Sequence, residues 1–213
     1  MQIIKFVFNS FGVNTYLVYD KSTGRCIVID PGMSEEAEIK EFDDFVEERN
    51  LQIEKILLTH GHFDHIWGVN HAKNKYSVEV YSHKNDLFLI EDAASYASVY
   101  GLDFPGAVEV DNFLTGTDSI DFAGTKIEVL HTPGHSPGHL TFVFDEYEIV
   151  FTGDVLFKGS IGRTDLPGGD LDALMDSLWR KVLVLDERFT VFPGHGEKTT
   201  IGIEKNSNPF LLR

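Results

Sequence analysis

Four apolar runs of strand length each stop at a turn that combines glycine with histidine or aspartate. EKILL is followed by THGHFDH, KIEVL by HTPGHSPGH, EIVF by TGD and TVF by PGHG. Strands fixed in a packed sheet make rigid platforms, and side chains at several strand ends are able to converge on one point. Glycine lets the backbone turn sharply and approach closely at those ends. The first turn is the densest, with His60, His62, Asp64 and His65 inside six positions. A polar surface loop is the plain explanation for that cluster, and a metal site is the sharper one.

The bulk of the chain suits a sheet-built core. Its 213 residues are enough for one large domain and short for two, so a single domain over residues 1–213 is expected. Hydrophobic residues make up 42%, as in a folded protein rather than a disordered one. No run approaches the ~20 apolar residues of a membrane helix. The N-terminal MQIIKFVFNS lacks the layout of a signal peptide. The one cysteine, Cys26, forms no internal disulfide and reads as a small core residue in RCIVID. These features point to the cytoplasm, with no membrane partner. A formal charge of −16 argues against a general nucleic-acid surface.

Strands are expected at Gln2–Phe8, Thr15–Tyr19 and Arg25–Asp30, where Val, Ile, Tyr and Phe dominate. Ser34 is placed to cap a helix that ends near Asn50, with Ile39, Phe42, Phe45 and Val46 on its apolar side. Glu54–Thr59 and Val78–Ser82 read as strands, with a helix from Trp67 to Tyr76 between them and a helical stretch over Lys84–Glu91. Later strands are expected around Phe113 and Ile120, and at Lys126–Leu130, Leu140–Phe144, Glu148–Thr152 and Thr190–Phe192. The spacing of Leu171, Leu174, Met175, Leu178, Val182 and Leu183 predicts one helix over Asp170–Leu185. A terminal helical turn is expected at Gly202–Lys205. Strands and helices mixed in two successive blocks suggest layers of sheet with helices outside them.

The strand-end turns supply seven candidate ligands. His60, His62, His65, His135 and His195 offer imidazole nitrogen, and Asp64 and Asp154 offer carboxylate oxygen. Nitrogen and oxygen without thiolate suit zinc first, and also iron or manganese. Seven donors exceed one tetrahedral ion and suit two ions with a shared ligand, because a carboxylate has two oxygens and bridges readily.

The combination H-x-H-x-D-H, a His after TPG, an Asp after TG and a His in PGHG resembles the metallo-β-lactamase-fold superfamily. The resemblance runs from the first strands to His195. Within that superfamily, HTPGHSPGH, FTGDVLF and GSIGRTDLPGGD look most like the glyoxalase II group of thioester hydrolases and the related persulfide dioxygenases. The resemblance implies an α/β (α+β) fold, an αββα sandwich of two facing mixed β-sheets with helices on both outer faces. It also implies an allocation: His60, His62 and His135 on one divalent ion, Asp64, His65 and His195 on the other, and Asp154 between them. The long form of glyoxalase II has a further C-terminal helical region with glutathione contacts. This chain ends at Arg213, soon after His195. A short, single-domain relative is therefore expected, acting on a smaller thioester or one carried by another thiol.

Two divalent ions about 3.5–4 Å apart lower the pKa of a shared water toward ~7, which gives a metal-bridging hydroxide at neutral pH. Asp154 and Asp64 are the catalytic carboxylates in this reading, one bridging, the other orienting the nucleophile and taking its proton. The chain shows no serine or cysteine nucleophile with a paired base. A thiolate, with a pKa near ~8.5, leaves without a proton donor, so a small-molecule thioester resembling S-lactoylglutathione is the expected substrate. The alternatives are a persulfide dioxygenase with one Fe(II) on His60, His135 and Asp154, and a hydrolase of small lactones or esters. Asp30, before Pro-Gly, either orients a ligand histidine or forms a turn. His139 is expected to support the same site, His131 to be structural, and His71 and His83 to have no role. Arg163 in SIGRTD either meets a substrate carboxylate or pairs internally with Asp165.

Overall fold

The computed structural model describes residues 1–212. They form two compact units: Met1–Ser82 with Leu87–Phe113, and His83–Asp86 with the chain from Leu114 onward. Each unit is built on its own mixed six-stranded sheet carrying helices, the α/β class expected. Among the described residues no helix is long and apolar enough to cross a membrane.

The sheet of the first unit runs in sequence order: β1 (Gln2–Phe8), β2 (Val13–Tyr19), β3 (Arg25–Ile29), β4 (Gln52–Leu57), β5 (Glu79–Ser82) and β6 (Asn112–Phe113). The first three strands pair antiparallel and the rest parallel. β2 and β3 are buried almost throughout, β2 including the polar Asn14 and Thr15, whereas edge strand β1 alternates toward its end. Parallel neighbours need crossovers, supplied by α1 (Glu36–Glu48) and α3 (Val69–Tyr76). Three short helices complete the unit: α2 (Phe63–Ile66), α4 (Leu87–Glu91) and α5 (Ala93–Val99). Phe42 and Val46 of α1 are buried in one core cluster with Phe6, Phe8 and Cys26. Burial pushes the Cys26 thiol pKa up, consistent with a core role.

The start of α1 differs from the expectation. The cap is Glu35, not Ser34. Glu38 reaches back and accepts hydrogen bonds from the backbone N–H of Ser34 at 2.7 Å and of Glu35 at 3.2 Å. The Ser34 hydroxyl donates to the same carboxylate at 3.2 Å, so it acts as a donor there. The helix also stops at Glu48, and Asn50 turns the chain at a left-handed φ of 50°.

In the second unit the order is β14 (Thr199–Thr200), β13 (Thr190–Pro193), β10 (Ile149–Gly153), β9 (Leu140–Phe144), β8 (Thr125–His131) and β7 (Ser119–Phe122). Only β10 and β13 pair parallel. A small hairpin, β11 (Leu156–Phe157) with β12 (Ser160–Ile161), follows β10. The helices are α6 (Leu171–Ser177) and α7 (Ile201–Ser207). The single helix expected over Asp170–Leu185 is α6 followed by a π-helical stretch, Leu178–Val182. The wide turn lets the Leu183 N–H donate to the Leu178 carbonyl at 2.8 Å. Leu178, Val182 and Leu183 are then all buried in one cluster with Val150 and Val191.

His71 and His131 have structural partners, as does His83. His71 lies 3.0 Å from Asp43, which also accepts from the Tyr76 hydroxyl. His131 donates to the Pro137 carbonyl at 2.8 Å and stacks on His83, with ring centroids 4.2 Å apart. His83 Nδ1 accepts the Asn85 backbone N–H at 3.1 Å, which requires that nitrogen to be unprotonated. Burial, then the neighbouring His131, pulls the His83 pKa from 6.5 to about 4. The unfolded chain therefore binds a proton at His83 before the folded chain does, and this residue's contribution to stability is lost as pH falls from 6.5 toward 4. His83→Gln keeps an acceptor for Asn85 but does not titrate. Its free energy of urea unfolding should fall less across that pH window than the parent's. An identical fall in both proteins would sink the assignment.

Candidate metal centre

The first unit brings its four predicted ligands to the turn after β4. The His60 ring centroid lies 4.7 Å from that of His62 and 4.1 Å from that of His65. Asp64 Oδ2 is 3.8 Å from His65 Nε2. α2 explains the spacing: Asp64 and His65 sit on its single turn, while His62 is its extended N-cap and His60 precedes it.

Asp30 organises this loop. It ends β3 in the left-handed region at φ 50° and is fully buried. Its Oδ1 accepts the Thr59 backbone N–H at 2.7 Å, and its Oδ2 accepts the Thr59 hydroxyl at 2.6 Å and His65 Nδ1 at 3.0 Å. The Thr59 hydroxyl has one hydrogen and gives it to Asp30. It must therefore accept from His60 Nδ1, 3.0 Å away. Both His60 and His65 thus carry their hydrogen on Nδ1, and Nε2 keeps the lone pair a metal needs. Asp30, His60 and His65 form a group with metal-ligand spacing, but both Asp30 oxygens are already engaged, so the carboxylate braces the loop.

The second unit gathers His135, Asp154 and His195. Asp154 Oδ2 lies 3.6 Å from His135 Nε2 and 3.4 Å from His195 Nε2. Those separations exceed a good hydrogen bond. Donors about 2.0–2.1 Å from one tetrahedral ion are themselves roughly 3.3–3.4 Å apart, so the spacing fits ligands that share an ion. A register shift between Phe151 and Gly153 in β10 re-aims the chain just before Asp154. The Asp154 backbone N–H donates to His139 Nε2 at 3.0 Å, so the His139 hydrogen lies on Nδ1, 3.1 Å from the Thr132 hydroxyl. His139 therefore holds the backbone beneath Asp154. His135 Nδ1 donates to the Arg163 carbonyl at 2.8 Å, which again leaves the lone pair on Nε2.

Gly162 makes that carbonyl contact possible. A Cβ on Gly162 would fall 1.9 Å from the Asp154 carbonyl oxygen, so only glycine lets the GSIGR turn lie so close. The Arg163 side chain makes a bidentate pair with Asp165, at 2.7 and 2.8 Å. This holds the exposed Asp165 carboxyl at a pKa of about 2. The internal partner anticipated for Arg163 is thus present.

Three supporting residues escaped the sequence reading. Thr59 lay inside the quoted THGHFDH, yet its hydroxyl acquires a role only once Asp30 lies beside it. Gly162 had a visible signal, since GSIGRTD was noted, but the reason is a contact eight positions back in the chain. Asp86 had none. This buried carboxylate accepts the Ser136 hydroxyl at 2.7 Å and the Gly138 N–H at 2.5 Å, pinning the turn between His135 and His139.

The Metallo-beta-lactamase superfamily model matches residues 9–195. The chain is 41% identical over 204 residues to "Hydroxyacylglutathione hydrolase GloC" of Haemophilus influenzae, covering 95% of this chain and 94% of that one. Among solved structures, BLEG-1 B3 metallo-beta-lactamase is 37% identical with a TM-score of 0.91, covering 100% of both chains. TTHA1623, in a di-iron-bound form, is 39% identical with a TM-score of 0.86, covering 98% of this chain and 100% of that one. The fold matches the αββα sandwich class, and the donor set suits divalent metal ions.

Thr59→Val removes the acceptor of His60 Nδ1–H while nearly keeping the side-chain shape. Metal affinity should fall about 10–100-fold, read by competition with a chromogenic chelator; unchanged affinity would refute the tautomer argument. Gly162→Ala should cost about 1–3 kcal/mol, as overpacking does, and lower the melting temperature by roughly 2–4 °C per kcal/mol.

Proposed function

The chain belongs to the metallo-β-lactamase superfamily, and from that premise we propose that it is a thioester hydrolase of glyoxalase II type that works with two divalent ions. In this reading His60, His62 and His135 would hold one ion, Asp64, His65 and His195 would hold the other, and Asp154 would serve both. Zinc suits this donor set, and the di-iron form of TTHA1623 supports iron as an occupant. The observation that carries the reading is that His60, His65 and His135 each have Nδ1 engaged by a fixed acceptor, which reserves Nε2 for metal. The name of the GloC relative supports a hydroxyacyl thioester of glutathione as the substrate class.

Bound divalent ions would supply an activated water at neutral pH and an electrophile for the thioester carbonyl. The chain supplies the rest. Asp154, set by His139 beneath its backbone, presents Oδ2 toward both His135 and His195. Asp64 orients the attacking water and takes its proton. No residue is needed to protonate the departing thiolate, whose pKa is about 8.5. Arg163 meets a substrate carboxylate by exchanging it for Asp165. The exchange is easy because exposed ion pairs are weak in water.

Metal analysis combined with turnover of S-lactoylglutathione tests the proposal. Two ions per chain and thiol release are expected, with activity lost on chelation and restored by zinc or iron. His62→Ala should lower kcat at least about 100-fold, beyond the loss typical of an outer partner. One iron per chain, oxygen uptake with a thiol persulfide and no thiol release from the thioester would replace this reading with the dioxygenase.

A further inference from the structure

The second unit contains a buried carboxylate that the metal reading leaves unused. Glu204 lies in α7, beyond residue 195, where the superfamily match ends. It is 1% exposed. Its Oε1 accepts the Thr199 hydroxyl at 2.6 Å, and its Oε2 accepts the Gly159 backbone N–H at 2.8 Å and Asn208 Nδ2 at 2.8 Å. Asn208 is buried too, and its Nδ2 also donates to the Ser160 carbonyl at 3.0 Å.

These partners belong to the segments that carry candidate ligands. Thr199 opens β14 and closes the loop from β13 that bears His195. Gly159 and Ser160 stand at the tip of the β11–β12 hairpin. That hairpin starts just after Asp154 and runs on to Arg163, whose carbonyl accepts from His135 Nδ1. One carboxylate thus joins the His195 loop to the hairpin. At its other end the loop is fixed by the Gly194 N–H, which donates to the Gly153 carbonyl at 2.8 Å where β13 and β10 stop.

Lys158 and Glu197 also bridge the loop and the hairpin. Their side chains are 57% and 75% exposed, and ion pairs of that kind are weak in water. The buried tie is the stronger of the two. Stability alone does not call for it, because a carboxylate out of water is costly unless satisfied, and apolar groups of the same shape in place of both partners are close to neutral. Hydrogen bonds add what apolar packing lacks, a fixed direction: a shift of either segment strands a buried donor. The spacing they protect is that of Asp154 Oδ2 from His195 Nε2, 3.4 Å, which fits two donors on one ion.

We propose that Glu204 is a positioning residue for the metal centre: by holding Thr199 against the β11–β12 hairpin, it sets His195 at ion-sharing distance from Asp154. The inference rests on the two-ion reading for its ligands, but its test reads metal affinity rather than turnover and separates the two. Glu204→Leu strands three buried donors at once and endangers the fold, so Thr199→Val carries the test. It nearly keeps the side-chain shape and removes the hydroxyl. Competition with a chromogenic chelator should show one of the two ions held about tenfold more weakly, the lower end of the loss from removing an outer partner of a ligand. The other ion should be held as in the parent. Thr199→Ser keeps the hydroxyl and should bind both ions as the parent does. In a His195→Ala background, Thr199→Val should weaken that ion no further, because the tie acts through the ring already removed. Thr125→Val deletes another Thr–Glu hydrogen bond of the second unit, 2.9 Å to Glu146, and should lower the melting temperature while leaving both affinities alone. Two ions held as tightly in Thr199→Val as in the parent, or losses that add in the double variant, overturn the positioning role and leave the two-ion reading standing. A single ion per chain, weakened non-additively by Thr199→Val and His195→Ala, does the reverse.

Discussion

A buried carboxylate at the end of β3 is the interaction on which the first unit's ligand loop depends. Asp30 accepts three hydrogen bonds, two from Thr59 and one from His65. A carboxylate out of water is tolerated only when its oxygens are satisfied. Here that requirement also fixes the loop that satisfies them. The left-handed backbone at Asp30 is held by Thr15, whose hydroxyl donates to the Asp30 carbonyl at 2.6 Å and accepts the Gly32 N–H at 2.9 Å. β2, β3 and the turn after β4 are thereby locked together at one end of the sheet.

The second unit solves the same problem with different groups. A backbone carbonyl takes the place of the carboxylate behind His135, and His139 supports Asp154 through its main chain. Gly162 allows the close approach and Asp86 fixes the turn that carries both histidines. In each unit the acceptor on Nδ1 selects the tautomer, so metal-binding capacity is set by neighbours that are not ligands. Rigidity follows from the placement: the candidate ligands stand at strand ends or on a one-turn helix bound to them, where the sheet's hydrogen bonds limit their motion.

Much of this was readable in the chain. The expected strands Gln2–Phe8 and Leu140–Phe144 agree with β1 and β9, because apolar β-branched and aromatic runs bounded by turn residues carry a strong local signal. The family resemblance rested on the glycine-flanked histidines and aspartates, and the superfamily match spans them. The misses have a common cause. The two-residue strands β11, β12 and β14 are too short to show periodicity and exist through their partners. The α1 cap moved to Glu35 because Glu38 folds back on the preceding residues, and the break in the long helix after α6 serves the burial of Leu183.

The sequence by itself determined the class of fold, the superfamily and which side chains carry nitrogen and oxygen donors, because these depend on local pattern and on residue chemistry. Only the tertiary structure decided which nitrogen of His60, His65 and His135 carries the hydrogen, that Arg163 is paired with Asp165, and that Thr59, Asp86 and Gly162 support the turns carrying the candidate ligands. A tautomer, an ion pair or a forbidden Cβ is a property of two groups at a few ångströms. The chain brings such groups together from positions as far apart as Asp30 and His65 only once its sheets have formed.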